Sequence, residues 1–336
     1  VGVKRGPVIA AFVIGLGLIA APVVFQMFSR APKGGDMIEA FTPYMTPDQI
    51  GLFQGYMAQI DDANNEIVDS LRPQLSEAGD VDAAEFEADF ESVAEFNDEW
   101  PAIDADMSDM LDTMDENRDN FGDVTALPEF PLFPWFFAIP GAIIAVVAGL
   151  ALRGDRAGRD QGTKLKVLAG LGVALILAPA VFQMFTRAPS GQQMIEEFEP
   201  LMTRERVQSI QGYFIIMGAM EAELRAGVEP LAEAETDFAP GDLPAIAALH
   251  EDWAAIFTDF APMIGTMSDN VVNYEAVNDL PPFGLFPWFF VIPGVLLIGL
   301  AVAAGRTGSS TGPETSSSDP ESSNPETVDV SSAANP

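Results

Sequence analysis

The sequence predicts an all-α, polytopic membrane protein whose four transmembrane helices form two tandem, pseudo-two-fold repeats, each carrying an extracytoplasmic helical-bundle domain. Three observations lead there. Four apolar runs carry no charge, the segments flanking them occur twice, and the acidic stretches between them repeat apolar residues at helical spacing.

Val8–Phe28, Pro134–Leu152, Val167–Phe185 and Phe286–Ala304 are uncharged runs of 19 to 21 residues. At about 1.5 Å rise per residue, each spans the roughly 30 Å hydrocarbon layer. Lys4 and Arg5 precede the first run. Arg153, Arg156, Arg159, Lys164 and Lys166 fill the connection between the second and third, and Arg306 follows the fourth. Positive residues mark the cytoplasmic side, so segments 1–7, 153–166 and 305–336 are predicted inside and 29–133 and 186–285 outside, in a multi-pass plasma-membrane protein with both termini cytoplasmic. Arg30, Lys33 and Arg187 fall on the outer side, but they are fewer and long enough to snorkel to headgroups. A charged start, an apolar run and Ala20-Ala21 also have the layout of a cleaved signal peptide. The same segment recurs at Ala178, where only an anchor makes sense, and the first run is read as an anchor too.

Ala21–Thr46 and Ala178–Thr203 align without a gap and agree at 18 of 26 positions; Leu127–Gly141 and Leu280–Gly294 agree at 12 of 15. Likeness at that level marks a duplication. Each copy reads helix, outside domain, helix, so both insert in one direction and a pseudo-two-fold axis along the membrane normal should relate them. Between these blocks the copies diverge, apart from islands such as Gln54-Gly55-Tyr56 with Gln211-Gly212-Tyr213, and Trp100 with Trp253. Packing and interfacial anchoring account for the concentration of likeness at the membrane surface; a repeated partner surface is the sharper alternative.

Thr46-Pro47-Asp48-Gln49 supplies an N-cap, a first-turn proline and a capping-box glutamine. Ile50, Phe53, Met57, Ile60, Asn64, Ile67 and Leu71 then follow a helical face, predicting one amphipathic helix of about 25 residues, with Val207 to Leu231 as its counterpart. Further helices are expected over 82–99 and 101–121, and over 243–252 and 254–274. Each outside segment is thus expected to be a small bundle standing on its own two membrane helices. Prolines 128, 131 and 134, and 281, 282 and 287, break the chain before re-entry. Phe133, Trp135, Phe136 and Phe137, with Phe286, Trp288, Phe289 and Phe290, then form an aromatic belt at the outer interface. From about Thr307 the chain is polar and low in apolar residues, which predicts a disordered tail.

Composition removes most chemistry. The formal charge of −34 from 50 acidic and 16 basic residues would repel a nucleic-acid backbone. Zero cysteines exclude disulfides, thiolate metal sites and thiol catalysis, and His250 alone makes a histidine-centred triad improbable. His250 aligns with Asn97 and reads as a solvated helix position. No ionisable residue stands in the apolar runs, which argues against a pump or transporter.

The candidate partner-contact positions are Gln26, Arg30, Gln183 and Arg187 at the outer ends of the first and third runs, with belt residues Trp135, Phe136, Trp288 and Phe289. The two glutamines lie beside Pro22 and Pro179, and the plain reading is a kink satisfied by a local partner. Gly15-x-Gly17 and Gly170-x-Gly172 permit close helix packing. Met107, Met110 and Met114 recur at helical spacing among Asp106, Asp109 and other aspartates. Thioethers bind Cu(I) and carboxylates collect divalent ions, so an ectodomain surface site for copper or a divalent cation is the metal reading, with core packing as the plainer one. The Asp115–Asn120 stretch lacks the glycine and glutamate of a calcium loop.

These readings converge on a non-enzymatic accessory or scaffold subunit of a larger integral-membrane assembly, its partners being other membrane subunits and lipids. A copper-dependent membrane oxygenase or oxidase is the first host class to test. The alternative is a receptor or sensor with ligand-binding helical ectodomains and a separate signalling partner.

Overall fold

The computed structural model describes residues 4–78, 82–157, 159–235 and 242–305. Arg306 and the expected disordered tail lie outside the described residues. Among the described residues every regular element is a helix.

Four helices are long and apolar enough to cross a membrane: α1 (Arg5–Val24), α8 (Phe133–Arg156), α9 (Gly162–Val181) and α14 (Phe286–Gly305). Between α1 and α8 run α2 (Met27–Phe41), α3 (Pro47–Glu66), α4 (Arg72–Ala78), α5 (Ala83–Asp89), α6 (Glu91–Glu116) and α7 (Arg118–Thr125). Between α9 and α14 run α10 (Met184–Phe198), α11 (Arg204–Glu223), α12 (Glu229–Glu235) and α13 (Pro244–Asn278).

The apolar helices pack as two hairpins, α1 against α8 and α9 against α14, with α1 also touching α14 and α8 touching α9. Glycine sets the hairpin spacing. A Cβ on Gly15 would lie 2.7 Å from Ala145 N and 2.8 Å from Gly141 O, and one on Gly172 would lie 2.7 Å from Gly294 O. These obstacles are backbone atoms and cannot rotate away, so the close approach requires glycine. Gly17 and Gly170, the other members of each sequence pair, would meet nothing within 4 Å. The partners of Gly15 and Gly172 are instead Gly141 and Gly294 on the returning helices.

The first and third apolar runs stop as membrane helices four residues before the expected 28 and 185. Gln26 and Gln183 adopt left-handed backbone conformations with φ of 54° and 53°. Gln26 N–H reaches back to Val23 O at 3.1 Å, and Gln183 N–H to Ala180 O at 3.2 Å, closing the helix ends. The physical reason lies in the pattern beyond them: a uniformly apolar helix gives way to an amphipathic one with a narrow buried face, Met27, Ala31, Gly34 and Met37 in α2. A left-handed residue re-aims the chain at that change. The glutamines are thus terminators, and the kinks expected there are complete breaks.

Thr46 Oγ1 accepts the Gln49 N–H at 3.2 Å, and Thr203 Oγ1 accepts the Arg206 N–H at 3.1 Å, starting α3 and α11. Both helices widen to π geometry, over Ile67–Leu71 and Leu224–Val228. The buried residues explain why. Ala63, Ile67, Leu71 and Leu75 are spaced by four, as are Met220, Leu224, Val228 and Ala232. A strict four-residue repeat drifts off an α-helical face, and one wider turn brings it back.

The breaks expected near residues 100 and 253 are absent. The α6 helix runs through Pro101, and α13 is a single 35-residue helix. The first copy breaks instead at Asn117, which is fully buried and donates to Glu197 Oε2 of α10 at 2.6 Å as well as to Thr113 O at 2.9 Å. Glu197 aligns with Ala40, so the equivalent Asn270 has no such partner on α2, and α13 continues unbroken.

The helices between the apolar spans do not stand as two separate bundles. The α2 helix packs on α13, α7 on α10, and α3 and α11 each contact both α6 and α13, so one apolar core runs through all of them. Phe53 stacks on Phe260 with ring centroids 4.5 Å apart, and Phe214 lies 5.1 Å from Phe260 on its other side. Independent bundles of so few helices would leave a large part of each apolar face wet. At about 1.5–3 kcal/mol per buried large side chain, sharing the core is the stronger solution.

Candidate functional site

Polar side chains tie the two halves together, in like pairs. Glu66 Oε2 accepts the Ile246 N–H at 2.8 Å and Glu223 Oε2 accepts the Val93 N–H at 2.9 Å, so each half caps the start of the other's long helix. Tyr56 donates to Asp259 at 2.8 Å, and Tyr213 donates to Asp106, which also binds Arg206. Burial raises the Tyr56 phenol to about 12, with the Asp259 hydrogen bond adding to the rise. Burial pushes Asp106 upward, but its bonds from Tyr213 and Arg206 prevail and hold it below the usual carboxylate range.

Arg30 and Arg187 belong to the same system. Arg30 Nη1 donates to Asp279 O at 2.7 Å and its Nη2 to Asp279 Oδ2 at 2.9 Å, capping the end of α13. Arg187 Nη1 donates to Ala126 O at 2.9 Å just beyond α7. A cation on terminal carbonyls satisfies the unpaired acceptors of a helix end. Both arginines therefore serve the opposite half of the chain.

Along the junction of the halves lies a series of small apolar cavities. The one nearest the membrane helices is about 30 Å³, and every residue type in its wall comes from both halves: Met27 with Met184, Ala31 with Ala188, Met37 with Met194, Phe130 with Phe283 and Phe133 with Phe286 among them. Met37 and Met194 also line the next cavity, about 40 Å³, which shares Met45 and Met202 with a third of about 20 Å³. Their walls are hydrocarbon and thioether apart from Tyr274, whose hydroxyl already donates to Ile195 O, so they offer water little to bind and are best read as packing defects among flexible thioethers. Matching positions of the two similar sequence segments thus line one cavity.

A roomier crevice of about 250 Å³ opens between α1, α8 and α14 beside the first of these cavities, sharing Met27 and Phe286 with it. Its wall is apolar, from Ile14 and Gly17 to Phe25, Phe137, Phe289 and Pro293. At the corresponding place on the other side, Phe136 and Phe182 stand with ring centroids 5.7 Å apart. Phe289 lies 6.3 Å from Phe286, as Phe136 lies 6.2 Å from Phe133, and 6.5 Å from Phe137; among the described residues no ring contact links it to Phe25.

Gln26 is exposed, with a side chain that makes no capping bond to α2, and Gln183 likewise makes none to α10. Trp135 and Trp288 are exposed in the first turns of α8 and α14, edge-on to Phe28 and Phe185 at 5.3 and 5.8 Å. Met107, Met110 and Met114 are at most 4 % exposed and point into the core, while Asp109 points outward and Asp106 is engaged by Tyr213 and Arg206. The thioethers are buried in the core and Asp106 already has two partners, so these residues do not form a shared surface face. Among the described residues no group of three His, Asp or Glu side chains is placed to hold a metal ion.

His250 departs from its expected solvated position. Its side chain is 10 % exposed, with Nδ1 3.0 Å from Glu221 Oε1 and Nε2 3.3 Å from Glu229 Oε2, the second contact lying at ion-pair distance without hydrogen-bond geometry. Arg225 also binds Glu221 and donates to His250 O at 3.0 Å. This cluster surrounds the second π segment. Its aligned residues in the first half are Asn64 and Asn97, whose buried Asn64 Oδ1 and Asn97 amide atoms have no hydrogen-bond partner. The sequence signal was available in the spacing of Glu221, Arg225 and Glu229, which places them along one side of the helix facing α13.

Compared with protein-family models and with curated proteins, the chain matches none.

Proposed function

We propose that this protein is a non-catalytic, membrane-anchored scaffold, an accessory subunit that holds other integral-membrane subunits around a rigid outer bundle. The observation that carries the reading is how its polar groups are used. The Glu66 and Glu223 caps, the Tyr56 and Tyr213 bonds and the Arg30 and Arg187 clamps all link one half to the other. Reaction chemistry needs such groups converging on a substrate-sized space, whereas a platform needs them locking its parts.

The two halves are read as tandem repeats about an axis along the membrane normal, with the bundle extracytoplasmic and both termini cytoplasmic. Arg5 pairs with Asp155 at 2.9 Å, and Lys4 N–H reaches Ala304 O at 3.5 Å, so the starts of α1 and the ends of α8 and α14 share one side, where Arg153 and Arg156 also lie. That gathering of basic residues supports a cytoplasmic assignment. Outward-facing apolar residues of the spans, such as Val24 and Val181 at 71 % and 73 % exposure, are available to lipid or to neighbouring membrane helices.

Purification in mild detergent followed by mass spectrometry tests the scaffold, which should co-migrate with at least one other integral-membrane protein; a chain that always migrates alone overturns it. The chain has no cysteine. Single Ala105→Cys and Ala157→Cys variants therefore test the orientation: an impermeant thiol reagent on whole cells should label the first and spare the second.

A further inference from the structure

We infer that the crevice between α1 and α14 holds an acyl chain of a membrane lipid, making one side of this protein a lipid-retaining surface. The inference goes beyond the scaffold reading and does not depend on it.

Four observations carry it. The crevice lies among helices long and apolar enough to cross a membrane, and Pro293, Phe25 and Gly17 in its wall belong to those helices or their ends. Its volume of about 250 Å³ exceeds the roughly 150 Å³ at which an apolar protein cavity already takes up a benzene-sized molecule. Its lining is hydrocarbon and aromatic, so water gains little there. The two halves also differ there: Phe136 and Phe182 are in ring contact at the equivalent place, whereas among the described residues Phe289 and Phe25 line the crevice without one. A bilayer supplies one occupant of matching chemistry at high local concentration, a lipid tail. Gln26, exposed and one residue from both Phe25 and Met27, stands where the polar end of such a lipid would emerge.

Gly17 gives the handle. A Cβ there meets nothing within 4 Å, so Gly17→Trp projects into the crevice and leaves the Gly15 contact with α8 alone. Gly170→Trp is the control, because Gly170 is exposed and its Cβ also meets nothing within 4 Å. The full-length protein is reconstituted in phospholipid vesicles containing a phospholipid with a diazirine in its acyl tail, irradiated, and mapped by peptide mass spectrometry. Adducts should concentrate on the peptides bearing Phe25 and Phe289. Gly17→Trp should reduce them about tenfold, equivalent to losing roughly two buried methylenes, while Gly170→Trp leaves them unchanged. Adducts spread evenly around the apolar helices, or crevice adducts that persist in Gly17→Trp, would overturn the proposal. If Gly17→Trp does not yield folded protein, Ala21→Phe, in the same wall, is read by the same criteria.

Discussion

Replacing Gly15 by alanine adds one methyl group at the point where α1 and α8 approach most closely. That methyl would sit 2.7 Å from Ala145 N and 2.8 Å from Gly141 O, both more than half an ångström inside ordinary contact. Neither atom can move by a rotamer change, so the hairpin must open along its length and lose packing on both sides of the crossing. Overpacking of this kind costs about 1–3 kcal/mol, and the rigid obstacle places Gly15→Ala toward the upper end. Gly17→Ala, two residues away on the same helix, meets nothing within 4 Å and should lie within about 0.5 kcal/mol of the parent. Thermal unfolding of both variants in one detergent, followed by helical circular dichroism, gives the comparison. Gly172→Ala should behave as Gly15→Ala, since its methyl would meet Gly294 O at 2.7 Å. If Gly15→Ala and Gly17→Ala unfolded at the same temperature, glycine-mediated backbone contact would not be what spaces the hairpins.

Three further outcomes are expected. Gln26→Gly should raise the unfolding temperature, because a left-handed conformation costs a residue with a Cβ about 1–2 kcal/mol that glycine avoids, whereas Gln26→Val should lower it. In acid, Asp106, whose folded pKa is depressed, contributes stability above its unfolded value of about 3.9 that disappears as pH falls through the folded value. Asp106→Asn should therefore flatten the acid limb of a stability-against-pH curve while weakening the protein at neutral pH. In alkali the sign reverses: the Tyr56 phenol, raised to about 12 from an unfolded value near 10, contributes stability that is intact below pH 10 and lost on approach to 12. Tyr56→Phe should remove that alkaline loss, as followed by phenolate absorbance together with circular dichroism.

The four spans, the helical class and the start of α3 at Thr46 were legible because each depends on local chemistry: run length, periodicity and a cap. The ends of α1 and α9 were legible only as kinks, marked by Gln26 and Gln183 beside Pro22 and Pro179, because glutamine is not a residue from which a left-handed conformation is expected. The break at Asn117 was hidden for another reason: its cause, Glu197, is 80 residues away. The same holds for the site residues. Gly15 could be singled out as a packing glycine, but only the fold pairs it with Gly141. Arg30 and Arg187 stood out as basic residues on the acidic side, and their role became visible only with the helix ends they cap. Methionine spacing gave the inward face of α6 without giving what lies opposite it, namely Met263 and Met267 across the third cavity.

The reciprocal capping by Glu66 and Glu223 bears on how the chain is made. Each joins residues 130 or more positions apart, and the Arg30 bond to Asp279 spans 249. During synthesis the leading part of the polypeptide emerges with α6 uncapped and apolar faces open, and neither defect is repaired until α11 and α13 arrive. The first half of the chain therefore completes its packing only after the second half has been made.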